Sequence, residues 1–399
     1  MITVEEAIGI ILEHRRDFGT ESVALDEAMG RVLRENLYAD RDFPPYNRVT
    51  MDGIALQYNS FERGQRKFDI EGIAAAGAPQ MSLQREHSCL EVMTGSILPK
   101  NTDTVIRYED IVIEEDIATL QIDTLRKGQN VHRQGEDRFN GSRVVKERTR
   151  ISPAEIGVAA TIGKSKLLVS RLPKTIIIST GDELVRVEDT PLPYQIRRSN
   201  VHRLQATLLH HGIRADVEHL QDDQDEIKAK LTGILEHYEL IILSGGVSKG
   251  KFDFLPESLI ALGVRKLFHT IKQRPGKPLW FGEAPGGTIV FALPGNPVSS
   301  FLGTHRYVIP WLQSSEGIAT PVYPRAILNT SFHFQPDLQY FLQVKISYDQ
   351  EGRVLATPVE GHGSGDLANL VDADAFLELP RDKSEFAKGE AYPVIFFRS

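Results

Sequence analysis

Three short apolar runs constrain the fold of this chain more than any other feature. The stretches 175–179, 240–243 and 289–293 (TIIIS, LIIL and IVFAL) place apolar side chains at successive positions, without alternation. A strand with one face in water alternates. A run that does not is buried on both faces, as in a parallel sheet covered by helices. The segments between the runs carry helix signatures. Val201, Leu204 and Leu208 form one stripe within 199–211, ended by Gly212. Asp223 opens a second helix, with Glu226 at the capping-box position and Ile227, Leu231, Ile234 and Leu235 on one face. A short helix is predicted over 256–262, and a long one from Pro297 to about residue 312 with Asn296 as its cap. With a short strand at 217–220, strand–helix alternation runs for about 140 residues. That is the pattern of an open, mostly parallel, doubly wound α/β sheet.

The rest of the chain reads differently. Residues 70–75, 89–94, 104–108, 111–113 and 119–123 are short β-like runs broken by Gly, Pro, Asn and Asp. They sit between two helix starts, at Thr3 with Glu6 and at Ser152-Pro153-Ala154-Glu155. After Ala319, strand-like runs return at 325–329, 341–347, 354–358, 376–379 and 392–397. The expected organisation is a discontinuous helical N-terminal domain (1–45 and 141–172), an inserted β-rich domain (46–140), the α/β domain (173–317) and a C-terminal β domain (318–399).

Hydrophobic residues make up 41% of the 399 and charged residues 25%, so the chain can bury more than one core. The net charge of −8 argues against a dedicated nucleic-acid binder. It leaves room for an anionic substrate held locally by Lys, Arg and backbone N–H groups. A single cysteine, Cys89, excludes an intrachain disulfide or a thiolate metal cluster. The start lacks a signal-peptide pattern, and no apolar run approaches the ~18 residues that span a bilayer. The expectation is a cytoplasmic protein with no membrane and no nucleic-acid partner.

Three of the strands end in glycine turns: Ser179-Thr180-Gly181-Asp182-Glu183, Leu243-Ser244-Gly245-Gly246-Val247-Ser248 and Leu293-Pro294-Gly295-Asn296-Pro297. Ligands of open α/β sheets bind beyond the strand C-termini, and glycines let backbone N–H groups approach an anion. Each turn alone also serves a tight strand-to-helix connection. Three with this composition point to one binding edge. Carboxylates lie beside them at Asp182, Glu183 and Asp253, with Asp222-Asp223 after the intervening strand. Asp223 also reads as a helix cap. Acids beside a phosphate cradle fit magnesium held between protein and substrate phosphates. Arg274-Pro275-Gly276-Lys277-Pro278 displays two cations on a stiff loop. No HExxH or GxGxxG occurs, which counts against a zinc protease or a dinucleotide site.

These turns, with Thr50-Met51-Asp52-Gly53, Met93-Thr94-Gly95, Gly135-Glu136-Asp137 and Pro275-Gly276-Lys277-Pro278, occur in one order over nearly the whole chain. The set resembles the MoeA family of molybdopterin molybdenumtransferases and is similar to the E domain of gephyrin. The resemblance implies an elongated homodimer of four-domain subunits, with a molybdopterin-binding α/β domain whose cleft is completed by the partner's β-rich domain. It implies molybdenum insertion into adenylylated molybdopterin with release of AMP, molybdate as co-substrate and Mg2+ as the assisting ion. The implied catalytic residues are Asp52, Asp137, Glu183, Asp223 and Asp253, with Glu183 and Asp253 on the metal. The implied substrate contacts are Thr94, Gly181, Ser244, Gly245, Gly246, Ser248, Arg274, Lys277, Pro294, Gly295, Asn296 and Pro297. Gly245 and Gly246 would hold phosphate, and Arg274 and Lys277 would join the Pro294-to-Pro297 loop in receiving molybdate. Further partners implied are molybdopterin adenylyltransferase and molybdenum apo-enzymes.

The chain departs from the family pattern in places. Arg198 precedes Ser199-Asn200 where an Asp is usual, Arg274 stands where Lys is usual, Gly250-Lys251-Phe252-Asp253 is less acidic than usual, and Gln343 occupies an Arg position. Two other readings follow: a molybdopterin-binding paralogue or scaffold without full transferase activity, and the preceding enzyme, molybdopterin adenylyltransferase. The domains flanking residues 174–313 weigh against the latter.

Overall fold

The first helix, α1 (Val4–Glu13), is fixed at its start by a reciprocal capping box. Thr3 Oγ1 accepts from the Glu6 amide at 3.1 Å, and Glu6 Oε2 accepts from the Thr3 amide at 2.8 Å. Val4, Ala7 and Ile11 on its apolar face are fully buried. They join the hydrophobic core that also holds Ile177, Ile242 and Phe291 of the α/β sheet. This computed structural model describes residues 1–247, 254–319, 322–335, 337–361, 363 and 365–398. Ser248 and Asp253 lie outside the described residues. The chain divides into two compact units: Ala24–Met29 with Glu35–Leu167, and Met1–Val23 with Gly30–Arg34 and Leu168–Ser399.

The smaller unit is built on a six-stranded sheet. Its strands are β1 (Gly53–Leu56), β2 (Lys67–Ala74), β3 (Ser88–Val92), β4 (Thr104–Arg107), β5 (Ile111–Glu114) and β6 (Ile117–Leu120). Their order is β4-β1-β3-β2-β6-β5, antiparallel except for β2 beside β3. Helix α2 (Pro153–Thr161) carries the second capping box, through Ser152 and Glu155.

The larger unit contains β7 (Thr175–Thr180), α3 (Ser199–His210), β8 (Asp216–Leu220), α4 (Gln224–His237), β9 (Leu240–Ser244), α5 (Leu255–Ala261), β10 (Arg265–Thr270), β11 (Pro278–Glu283) and β12 (Ile289–Leu293). The order is β8-β7-β9-β12-β11-β10. The first four strands are parallel, and β11 and β10 add an antiparallel edge. That edge is absent from the sequence reading. The sheet is covered on both faces. Ile177, Ile242 and Phe291 pack with α1 and α3, while Ile176, Ile178, Ile241 and Val290 pack with α4 and α5. The long helix after β12 has three parts: α6 (Pro297–Gly303), a π-helical turn (Thr304–Val308) and α7 (Ile309–Ser315).

The C-terminal strands are β13 (Arg325–Leu328), β14 (Gln339–Tyr348), β15 (Val354–Pro358), β16 (Ala375–Leu379) and β17 (Ala391–Phe396). They run β14-β15-β13-β17-β16 and close on themselves through β14 and β16. Residues Gln273–Arg274 pair with β14 at Gln339 and Tyr340, so the Arg274 loop is tied to this closed sheet. Among the described residues, no helix is long and apolar enough to cross a membrane.

Candidate active site

Parallel register brings the three glycine turns together. Ser179 pairs with Ser244, and Ser244 with Leu293, so β7, β9 and β12 end level at one edge. A cleft of about 630 Å³ opens there. Gly181, Glu183, Ser244, Gly245, Gly246, Pro294, Gly295, Asn296 and Pro297 all line it. Gly246 has φ +67°, and a Cβ there would come within 2.6 Å of Leu255 and 2.9 Å of Thr180. Gly181 has φ +130°, and a Cβ there would press on the Glu183 carboxylate at 2.5 Å. Both turns therefore require glycine to bring the backbone against the cleft.

The expected pair of phosphate-holding amides is altered in one respect. The Gly245 N–H donates to the Leu293 carbonyl at 3.1 Å, joining two turns, which leaves Gly246 as the amide of the pair with no backbone partner among the described residues. Further donors come from helix starts. Arg198 and Asn296 occupy the N-cap positions of α3 and α6, and neither side chain caps its helix. Asn296 thus caps only through its carbonyl, which accepts from Ser300 N at 3.0 Å. First-turn N–H groups without side-chain caps, at the positive end of a helix dipole, favour an anion. Thr180 Oγ1 is buried in the cleft wall without a partner among the described residues.

Charges of both signs line the cleft. Glu183 and Asp222 supply carboxylates, and Arg197 and Arg198 supply guanidinium groups. Asp223 does not line it: its side chain accepts from Glu226 N at 2.9 Å and caps α4. Its neighbour Asp222 faces the cleft, with its amide donating to Asp182 Oδ1 at 3.0 Å. Nor does the structure bring Arg274 or Lys277 into the cleft. Arg274 lines a separate cavity of about 300 Å³ with Tyr340 and Gln343, drawn there by the pairing with β14. Its guanidinium stands 5.6 Å from the Phe334 ring centre. Lys277 is exposed outside both cavities.

Two residues that the sequence reading passed over shape this site. Asn200 Nδ2 donates to Ser244 Oγ at 3.0 Å and to the Gly295 carbonyl at 2.7 Å, bracing two turns from the start of α3. His219 on β8 contacts Ser179 Oγ through Nδ1 at 3.0 Å. Burial, reinforced by the positive charge of Arg198, holds His219 below its ordinary pKa, so it is neutral at pH 7.

The smaller unit carries two polar clusters of its own. Asp52 Oδ1 accepts from the Thr94 amide at 2.6 Å and from Thr94 Oγ1 at 2.7 Å. The amide hydrogen bond, then the hydroxyl one, lowers the Asp52 pKa. Asp137 Oδ1 lies 3.0 Å from His132 Nε2, and His132 Nδ1 lies 3.1 Å from Arg48 Nη2. Asp52, Thr94 and Asp137 are exposed, and His132 is a partner of Asp137 that no spacing in the sequence announced.

A doubly wound α/β domain with a cleft at its strand ends, a β-rich unit and a closed C-terminal sheet together define a multidomain α/β and β protein. The sequence matches the MoeA N-terminal region (domain I and II) over residues 2–163, a probable molybdopterin binding domain over 176–314 and the MoeA C-terminal region (domain IV) over 325–397. The chain belongs to the MoeA family. It is 40% identical to a Synechocystis protein named molybdopterin molybdenumtransferase, over 98% of this chain and 99% of that one. It is 30% identical to the Bacillus subtilis protein of the same name, over 100% and 94%. A crystal structure of a molybdopterin biosynthesis MoeA protein from Pyrococcus horikoshii superposes with a TM-score of 0.82 at 26% identity, covering all of both chains.

Proposed function

We propose that the protein is a molybdopterin molybdenumtransferase, which inserts molybdenum into adenylylated molybdopterin and releases AMP. The observation that carries this reading is the cleft at the ends of β7, β9 and β12. Its Gly246 amide and the uncapped starts of α3 and α6 suit a substrate bearing phosphates. Arg198 and Arg197 add charge for the anhydride, and Asn200 holds two turns in place. Family membership and the names of the two relatives support the molybdenumtransferase class.

The donor set is compatible with Mg2+. Among the described residues no three His, Cys, Asp or Glu side chains gather as a metal cage. Magnesium beside nucleotide phosphates commonly takes one or two carboxylates and completes its shell with phosphate and water oxygens. Glu183, facing the cleft, would hold it, with Asp253 as the second acid proposed from the sequence. Bound there, the ion would neutralise charge on the leaving phosphate. Asp52, Thr94 and Asp137 are proposed to serve the reaction from the second subunit of a homodimer.

The test is AMP release from adenylylated molybdopterin, with and without molybdate. Molybdate-dependent release is expected. ATP consumption with free molybdopterin would assign the adenylyltransferase step instead, and pterin binding without AMP release would assign a scaffold.

A further inference from the structure

Arg203, on the second turn of α3, is a largely buried cation with no carboxylate partner among the described residues. Burial without a counter-ion pulls its pKa down to about 10, which still leaves it charged at neutral pH. An uncompensated buried charge is costly, so its position calls for a reason. Its contacts supply one. Nη2 donates to Asn200 Oδ1 at 2.9 Å and to Ser300 Oγ at 2.8 Å. The guanidinium carbon lies 5.2 Å from the Phe301 ring centre, within cation–π range.

Both acceptors lead to the cleft. Asn200, held by its oxygen, turns its Nδ2 to Ser244 Oγ and the Gly295 carbonyl. Ser300 Oγ is within 3.2 Å of the Asn296 carbonyl and 3.1 Å of the Pro297 carbonyl. One buried cation thus stands behind two of the three turns and behind the start of α6. Arg203 itself is absent from the cleft lining. Charge-assisted bonds are stronger than neutral ones, and an amide with its oxygen anchored cannot rotate away from Ser244 and Gly295.

We propose that Arg203 is a positioning residue for the transferase reaction, acting through Asn200 to hold the Ser244 and Gly295 turns in their substrate-binding form. This rests on the transferase reading given above. The predicted consequence is a loss of ground-state binding with little change in the chemical step, because the turns grip the substrate and Arg203 touches none of it.

The experiment is a double-mutant cycle on the full-length protein, comparing Arg203→Met, Asn200→Ala and the double variant in AMP release. Each single change is expected to raise KM for adenylylated molybdopterin about tenfold while kcat stays within about twofold. The double variant is expected to match Asn200→Ala alone, because both changes break one chain of contacts. Arg203→Lys, which keeps the charge and a donor, should recover part of the KM loss. KM effects that multiply in the double variant, or a fall in kcat with KM unchanged, would overturn the proposal. A second measurement does not need turnover. In protein labelled with 15N-asparagine, the Asn200 side-chain amide protons should exchange slowly with solvent and become fast in Arg203→Met. Unchanged exchange would overturn the positioning role by itself. Failure of the wild type to release AMP would instead sink the transferase reading and leave this readout to decide on Arg203.

Discussion

Asp52 shows how a few hydrogen bonds prepare a side chain. Its carboxylate takes both donors of Thr94, and both bonds favour the charged form. A carboxylate with a lowered folded-state pKa stabilises the fold above its unfolded pKa of about 3.9, and that contribution fades as pH falls through the folded value. Thr94→Val removes the hydroxyl bond and keeps the larger amide effect, so the Asp52 midpoint should rise part of the way to the ordinary value. Carboxyl-carbon NMR against pH reads this directly, and an unmoved midpoint would show that the hydroxyl does nothing for the charge. Arg198 is the second case. It lines the cleft at the N-cap of α3 without capping it, where its charge is available to an anionic substrate. Arg198→Asp should weaken molybdopterin binding by about tenfold or more in calorimetry, since an attraction becomes a repulsion. Equal or tighter binding would place the guanidinium outside the pterin contacts. Legibility at this scale was uneven. Glu183 and the turn glycines could be found because strand ends and φ-positive turns leave a local signature. Asp223 was legible as the cap of α4 from its spacing to Glu226, but not that Asp222 rather than Asp223 faces the cleft, because only the path of the chain after β8 decides that. Asn200 and His132 act through contacts with residues far away in sequence, and no local pattern marks them.

At the scale of elements, capping and periodicity did most of the work. The two capping boxes stand where Thr3-x-x-Glu6 and Ser152-x-x-Glu155 place them. The strand at Val354–Pro358 and the apolar stripe of α3 also follow their patterns. Thr3→Ala should cost about 1 kcal/mol, the usual value of an N-cap side chain, read as a lower urea midpoint at unchanged m-value. No shift would mean that burial of Val4, Ala7 and Ile11 alone holds α1. Within the six-stranded α/β sheet, two strands escaped the sequence reading. In β10 (RKLFHT) basic and polar residues interrupt the apolar ones, and β11 (PLWFGE) begins on Pro and contains Gly, so neither shows a clean strand period. They matter to the site because the segment between them carries Arg274. Its pairing with β14 sets that cation at a separate cavity, which no reading of the loop by itself could foresee.

At the scale of the whole molecule, the acids lie on two compact units, Asp52 and Asp137 on the smaller and Glu183 with Asp222 on the larger. The family pattern across the chain was legible from the order of its motifs, whereas the α/β core's capture of α1 was not, because burial of one face does not say against what. If both acid groups serve one reaction in a homodimer, inactive Asp52→Ala and Glu183→Ala subunits should recover part of the activity when mixed, since one of two sites then carries neither lesion. Activity that stays at the level of the separate variants would contradict a shared site. The central claim is that the cleft beyond β7, β9 and β12 is where the anhydride is cleaved. Glu183 tests it most directly, since its side chain is exposed there and contributes little to packing. AMP release by Glu183→Gln should fall by orders of magnitude at a stability within about 0.5 kcal/mol of wild type. Undiminished release, or a fold that collapses with the activity, would contradict it.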